Sequence, residues 1–223
     1  MMIFVRLEAL LPTKAQSAQN CSGIFMKSHE LPIVLASSSK YRRELLSRIL
    51  NEFEHAAPNI DETPIRGESP EDCAARLAKL KAYALDNQFP EHWIIGSDQL
   101  ASLDGLILGK PVTQERAIEQ LSLCSGRRVS FLTSLALFNS QTGETREHLE
   151  EVIVTFRELT EAEIVAYIER EQPLDCAGSF KCEGLGITLF ESIESQDPNT
   201  LVGLPLIGLN HLLLKAGINP LLS

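Results

Sequence analysis

Residues 32–50 read PIVLASSSKYRRELLSRIL. The first five form a short, β-branched apolar run, the pattern of a buried strand. From Lys40 the period changes: Leu45, Leu46, Ile49 and Leu50 recur on one side of a helix. Ser39 is placed to cap that helix. A strand passing through a tight turn into a helix is the unit of mixed sheets, so this stretch predicts an α/β fold. The turn also gathers three hydroxyls (Ser37, Ser38 and Ser39) and two arginines (Arg42 and Arg43). It does so in a chain of formal net charge -10.

The rest of the chain keeps the alternation. Residues 69–85, SPEDCAARLAKLKAYAL, predict a helix capped by Ser69, with Pro70 at its first position and Glu71 and Asp72 on its positive end. Ala74, Leu77, Lys81 and Leu85 share its spacing, which draws Lys81 toward the apolar side. Residues 92–111, HWIIGSDQLASLDGLILGKP, predict a strand, a hairpin at Asp104-Gly105 and a turn at Gly109-Lys110-Pro111. A capped helix follows, TQERAIEQLSLCSG (113–126), stopped by Gly126. Two strands, 127–139 and 147–159, join through SQTGE. Thr160 and Glu163 open a helix with a capping box. A glycine-punctuated stretch (177–194) ends in a strand, and PLIGLNHLLLKAG (205–217) closes the chain as a helix. Residues 53–64 read as extended loop. No repeat, low-complexity tract or linker follows residue 31. Residues 1–31 are expected to be a disordered extension, with a start at Met26 as one origin, and 32–223 a single domain.

The bulk numbers exclude several classes. At 223 residues, 44% of them apolar, the chain can bury a core without staples. Its acidity argues against a DNA-binding protein, which needs a basic face to displace counterions. A small phosphorylated ligand needs only a local basic pocket. The five cysteines form no C-x-x-C pair and the five histidines no ligand spacing, so neither disulfides nor a zinc site is expected. Reduced thiols suit the cytoplasm. The apolar run 201–218 is interrupted by Pro205, Asn210, His211 and Lys215, short of the roughly 20 residues of a membrane span.

Chemistry concentrates in a few places. The strand–hydroxyl–helix turn collects N–H groups, hydroxyl donors and a positive helix end, and Arg42 could fork onto a phosphate. Serines also cap helices with no ligand present, and spacing alone leaves both readings open. Asp98 is expected just past the end of the strand HWIIGS, where α/β sheets place their sites. Asp61 and Glu62 in IDET would suit Mg²⁺, a hard cation that favours oxygen ligands; a solvated acidic loop is the alternative. Lys110, held between glycine and proline, suits a phosphate or an ordinary surface turn. The glycines of AGSFKCEGLG could let backbone approach a ligand. No P-loop, dinucleotide fingerprint or G-x-S-x-G occurs. Acids, lysines, arginines and hydroxyls together suit metal-assisted phosphoryl hydrolysis better than covalent catalysis.

Eight segments, taken in order, resemble the Maf family of nucleoside triphosphate pyrophosphatases: LASSSKYRRELL (35–46), IDET (60–63), RLAKLKA (76–82), IIGSDQ (94–99), LGKP (108–111), LCSG (123–126), PLDCAGSFKCEGLGITLFESIE (173–194) and NTLVGLPL (199–206). They span essentially residues 32–220. The resemblance is greatest to the subfamily that hydrolyses 7-methyl-GTP to 7-methyl-GMP and diphosphate. It implies an inosine-triphosphatase-like α/β fold, with a mixed sheet, flanking helices and a cleft between two lobes. It also implies a divalent cation (Mg²⁺ or Mn²⁺), a cytoplasmic location, a modified nucleoside triphosphate as substrate, and neither DNA nor membrane as partner. A homodimer stays open.

By position, the resemblance assigns Ser37, Ser39 and Arg42 to the triphosphate, Glu62 and Asp98 to the metal, and Asp98 to proton acceptance. Lys81 and Lys110 join the catalytic set. Tyr41, Gln99 and Glu183 fall where subfamilies differ in base. Two departures stand out: Lys40 where the family usually has proline, and Tyr41 where the methyl-GTP subfamily often has tryptophan. Two alternatives remain. One is a pyrophosphatase for dTTP, UTP or CTP; the other is a non-catalytic nucleotide-binding regulator of septum formation.

Overall fold

β1 (Ile33–Ala36) leads through the serine turn into α1 (Lys40–Leu46), as the opening stretch predicts. The computed structural model describes residues 31–222, so the extension and the start at Met26 lie outside the described residues, Leu31 excepted. β2 (Glu54–Ala56), α2 (Pro70–Tyr83), β3 (Trp93–Leu103) and β4 (Leu106–Leu108) come next. Then follow α3 (Gln114–Cys124), β5 (Arg128–Asn139), β6 (Thr145–Phe156), α4 (Glu161–Glu171), β7 (Phe190–Glu194) and α5 (Leu206–Lys215). From Leu31 onward the chain forms one compact unit. No helix among the described residues is long and apolar enough to cross a membrane.

The strands make one mixed sheet in the order β2-β1-β3-β5-β6-β7, with β4 paired to β3. β1 runs parallel to β2 and β3, and the other pairings are antiparallel. β1 leaves β3 at the pair Ala36↔Gly96, and β4 rejoins the same edge at Ala101↔Leu108. Residues 97–100 of β3 therefore lie in a gap on that edge. That gap positions the site.

Side chains of β3 alternate between faces. Even-numbered Ile94 packs with Ala78 and Ala82 of α2, and Leu100 with Cys73, Ala74 and Leu77. Odd-numbered Trp93 and Ile95 join a cluster with α1 and α5, whereas Ala101 and Leu103 join a second cluster with α3 and α4. Ser97 and Gln99 fall between those two clusters. Leu201 packs into one and Val202 against the other, so residues 197–203 thread the space between them.

Three expectations are corrected. The helix opened by Ser39 ends at Leu46 rather than Leu50. Turns donated by the Arg48 and Ile49 N–H groups to Leu45 and Leu46 continue the apolar side without continuing the helix. The loop read over residues 53–64 contains β2; its three residues, Glu-His-Ala, are too few and too exposed to show a period. Asp98 lies inside an 11-residue strand rather than past its end, because β3 runs on to pair with β4 and β5. It nevertheless stands just beyond the last parallel pair with β1.

Candidate active site

Lys81 sits on the buried face of α2, where its spacing from Ala74 and Leu77 put it. α2 lies close enough on β3 that a Cβ at Gly96 would clash with the Ala78 carbonyl oxygen. The Lys81 ammonium thereby reaches the even face of β3. It donates to Asp98 Oδ1 at 2.6 Å and pairs with Glu62 Oε1 at 2.8 Å. Lys81 is 6% exposed and Asp98 5%. Lys110 Nζ lies 3.5 Å from Glu62 Oε2, at the mouth of the cluster. Partial burial pushes the Glu62 carboxyl up, but the Lys81 and Lys110 ammonium groups outweigh it and hold the carboxyl below its usual range. The second oxygen of Asp98, Oδ2, is buried and has no hydrogen-bond partner among the described residues. A buried carboxylate oxygen left bare is costly unless something fills the place.

The IDET segment is tied to α2 by Arg76. Its guanidinium donates to both Glu68 oxygens (2.6 and 2.7 Å) and to the Thr63 carbonyl (3.3 Å). This pairing brings the Glu68 carboxyl down to about 2, with the Ile65 N–H also donating to it. Asp61 accepts from the Thr63 N–H. Just after LGKP the backbone turns left-handed at Val112 (φ 67°) but not at Gly109. A β-branched residue there marks strain beside Lys110.

In the serine turn, Ser37 Oγ accepts from the Ser39 N–H and Ser39 Oγ from the Arg42 N–H. The hydroxyl oxygens thus satisfy backbone donors that the anion reading left for a phosphate. Their O–H hydrogens remain available to donate. Arg42 Nε donates to the Gly203 carbonyl at 2.9 Å, and its two Nη nitrogens bond to no described residue. Burial lowers the Arg42 pKa, opposed by the nearby charges of Asp98 and Glu62. Arg43 turns instead to His55 of β2.

The base-end residues are less gathered. Gln99 Nε2 donates to Thr133 Oγ1 and to the carbonyls of Thr200 and Leu201, so its Oε1 is left as an acceptor. Glu183 lines a pocket of about 470 Å³ with Cys182, Ile187, Ile193, Leu201 and Val202. None of the charged cluster lines that pocket, nor does Tyr41. The Tyr41 ring carries the Lys40 ammonium 4.8 Å from its centroid. The glycines of the 177–186 stretch are closely packed, with Gly184 against the Glu171 carboxylate. Gly178 lies against Ala101 and Phe131, and Gly186 against the Lys181 backbone.

The structure therefore unites Asp98, Glu62, Lys81, Lys110 and Arg42, with Ser37 and Ser39 in the turn before Arg42. It joins Gln99 to the pocket through Leu201, and Tyr41 does not line the pocket that Glu183 lines. No group of three or more His, Cys, Asp or Glu with ligand geometry occurs among the described residues. Two carboxylates with one bare buried oxygen still fit Mg²⁺, which takes one or two protein carboxylates and completes its shell with water and phosphate oxygens. Sequence reasoning gave no role to Ser97, Arg76, Thr200 and Gly203. The segments RLAKLKA, IIGSDQ and NTLVGLPL contained all four, but backbone carbonyls and clamps leave no residue-type signal.

A solved structure of the Staphylococcus aureus Ham1 protein is 20% identical to the chain, over 56% of this chain and 71% of that one, with a TM-score of 0.40. A family model described as Maf-like protein matches residues 32–216, nearly all of the described unit. The chain belongs to the Maf-like protein family.

Proposed function

We propose that the chain is a nucleoside triphosphate pyrophosphatase that converts 7-methyl-GTP and water to 7-methyl-GMP and diphosphate. The observation that carries the reading is Asp98. It is buried and held by Lys81 through one oxygen, its other oxygen bonds to no described residue, Glu62 shares Lys81 with it, Lys110 pairs with Glu62, and the Arg42 guanidinium feels both carboxylates. Asp98 takes a proton from the attacking water. The water oxygen bonds to the α-phosphorus, and the bond from that phosphorus to the bridging oxygen breaks. Lys81, Lys110 and Arg42 hold the negative charge of the departing diphosphate. Ser37 and Ser39 donate O–H bonds to phosphate oxygens. Glu62 and Asp98 would hold the divalent cation, which when bound polarises the phosphate under attack.

For the base, 7-methylguanine is cationic and the apolar pocket carries the Glu183 carboxylate. Gln99 offers an acceptor to a donor on the substrate. One observation favours the rival reading of a dTTP, UTP or CTP pyrophosphatase. Lys40 already covers a face of Tyr41, the ring on which a cationic base would stack. Diphosphate and orthophosphate release from 7-methyl-GTP, UTP, dTTP and CTP with Mg²⁺ or Mn²⁺ tests both. We expect diphosphate as first product and 7-methyl-GTP as best substrate. A UTP preference selects the rival, and orthophosphate as first product rejects the mechanism. The unpaired thiols of Cys73, Cys124, Cys176 and Cys182 support a reducing, cytoplasmic setting.

A further inference from the structure

We propose that Gly203 and Ser97 are positioning residues that hold the Arg42 guanidinium for a phosphate. The inference rests on the reading above only in taking Arg42 as a phosphate ligand.

The Gly203 carbonyl accepts from Arg42 Nε at 2.9 Å and from Ser97 Oγ at 3.1 Å. Ser97 is fully buried and stands beside Asp98 in β3. With Nε spent on this carbonyl, the plane of the guanidinium is fixed and both Nη nitrogens remain to fork onto an anion. A free arginine side chain loses much rotamer entropy on binding; one already held loses less.

The carbonyl is aimed by the local backbone. Gly203 has φ 112°, which side chains rarely permit, and a Cβ there would stand 3.3 Å from Arg42 Nε. The loop that delivers it is pinned at both ends. Buried Asp197 accepts from the N–H groups of Asn199 and Ile207, the latter at 2.6 Å. The Asp197 N–H donates to Glu150 Oε1. Arg48, just past α1, donates to Asn199 Oδ1 at 2.9 Å. Two arginines from the α1 region thus grip one loop, and only Arg42 turns toward the carboxylate cluster. The Thr200 and Leu201 carbonyls of this loop also hold Gln99. The loop shapes both ends of the site without placing a side-chain charge in it.

The test is calorimetric binding of inorganic triphosphate to wild type, Gly203→Ala, Ser97→Ala, Arg42→Ala and the two doubles with Arg42→Ala. Gly203→Ala should weaken binding about tenfold, as loss of a bond to a charged group implies, and Ser97→Ala about threefold, as loss of a neutral bond implies. Each should add less than about twofold once Arg42 is gone, because coupled residues are not additive. Ser97→Ala leaves the backbone intact, so it decides if Gly203→Ala fails to fold. In turnover, the loss in both variants should fall in the same parameter, kcat or KM, as in Arg42→Lys. Full-size effects in the Arg42→Ala background, or wild-type affinity in both single variants, overturn the inference and leave the phosphate reading standing. Wild type that does not bind triphosphate removes the phosphate reading, and the inference with it.

Discussion

The two faces of β3 are built differently. On the even face, Asp98 meets Lys81, and Glu62 and Lys110 close the group; every partner is a side chain with a charge. On the odd face, Ser97 and Gln99 meet the carbonyls of Gly203, Thr200 and Leu201; the partners that position them there are mainly backbone. Asp98 and its two neighbours in sequence thus serve opposite designs one residue apart. The even face carries the carboxylates and lysines that the proposed chemistry uses. The odd face carries geometry, and any residue type supplies a carbonyl.

The sharpest way to break this division is Asp98→Asn. The amide keeps the shape but takes no proton and pairs poorly with Lys81. Turnover should fall about a thousandfold, the scale of a lost general base, while nucleotide binding by calorimetry stays within about threefold. Turnover near wild type would move the chemistry off the even face.

Next is Lys81→Met, which keeps the aliphatic stem and removes the ammonium. Asp98 is then a buried carboxylate with no cationic partner, and Glu62 loses one of two. Breaking a buried pair from one side costs about 3 kcal/mol, read as a drop in urea-unfolding stability. Unchanged stability would show that the pair is solvated and that the even face has no buried electrostatics.

This division also explains what the sequence made legible. The strand–turn–helix start, α2 with its Ser69 cap and Pro70, and the Asp104-Gly105 hairpin follow local rules and appear as read. The charged residues Glu62, Lys81, Asp98 and Lys110 were visible as residue types, and the fold assembles them. The place of Asp98 was misjudged because a long strand and a short one with a carboxylate after it look alike. β2 has no period to read. Gly203 was quoted only within a motif, because its part is a carbonyl direction. Tyr41, Gln99 and Glu183 come from distant segments, and sequence order says nothing about whether they meet.

Gly96→Ala probes the join between the faces. The residue adds no charge, yet its missing Cβ lets α2 seat Lys81 against Asp98. The clashing atom is a backbone carbonyl of α2, which cannot rotate away as a side chain would. The expected cost is about 2 kcal/mol of overpacking, with a fall in turnover because Lys81 moves with its helix. Loss of stability without loss of turnover would show that α2 carries packing alone and that Lys81 reaches Asp98 from more than one helix position.

The smallest effect belongs to the clamp that holds Glu62 to the even face. Glu68 has its carboxyl near 2 in the folded chain, against an ordinary 4.5, chiefly because Arg76 donates to it. A carboxyl lowered by folding stabilises fully above the ordinary value, and the contribution fades as pH falls toward the folded value. The clamp is therefore complete at pH 5 and weakens from about pH 4.5 downward. Glu68→Gln should lower the urea midpoint at pH 6. The gap between variant and wild type should then narrow as pH falls toward 3, since wild type progressively loses the charge that the variant lacks. At pH 6 the variant should also need more Mn²⁺ for half-maximal turnover, because Glu62 rides on the segment that Arg76 and Glu68 tie down. A gap independent of pH would place the contribution of Glu68 in its hydrogen bonds, which the amide partly keeps, rather than in its charge.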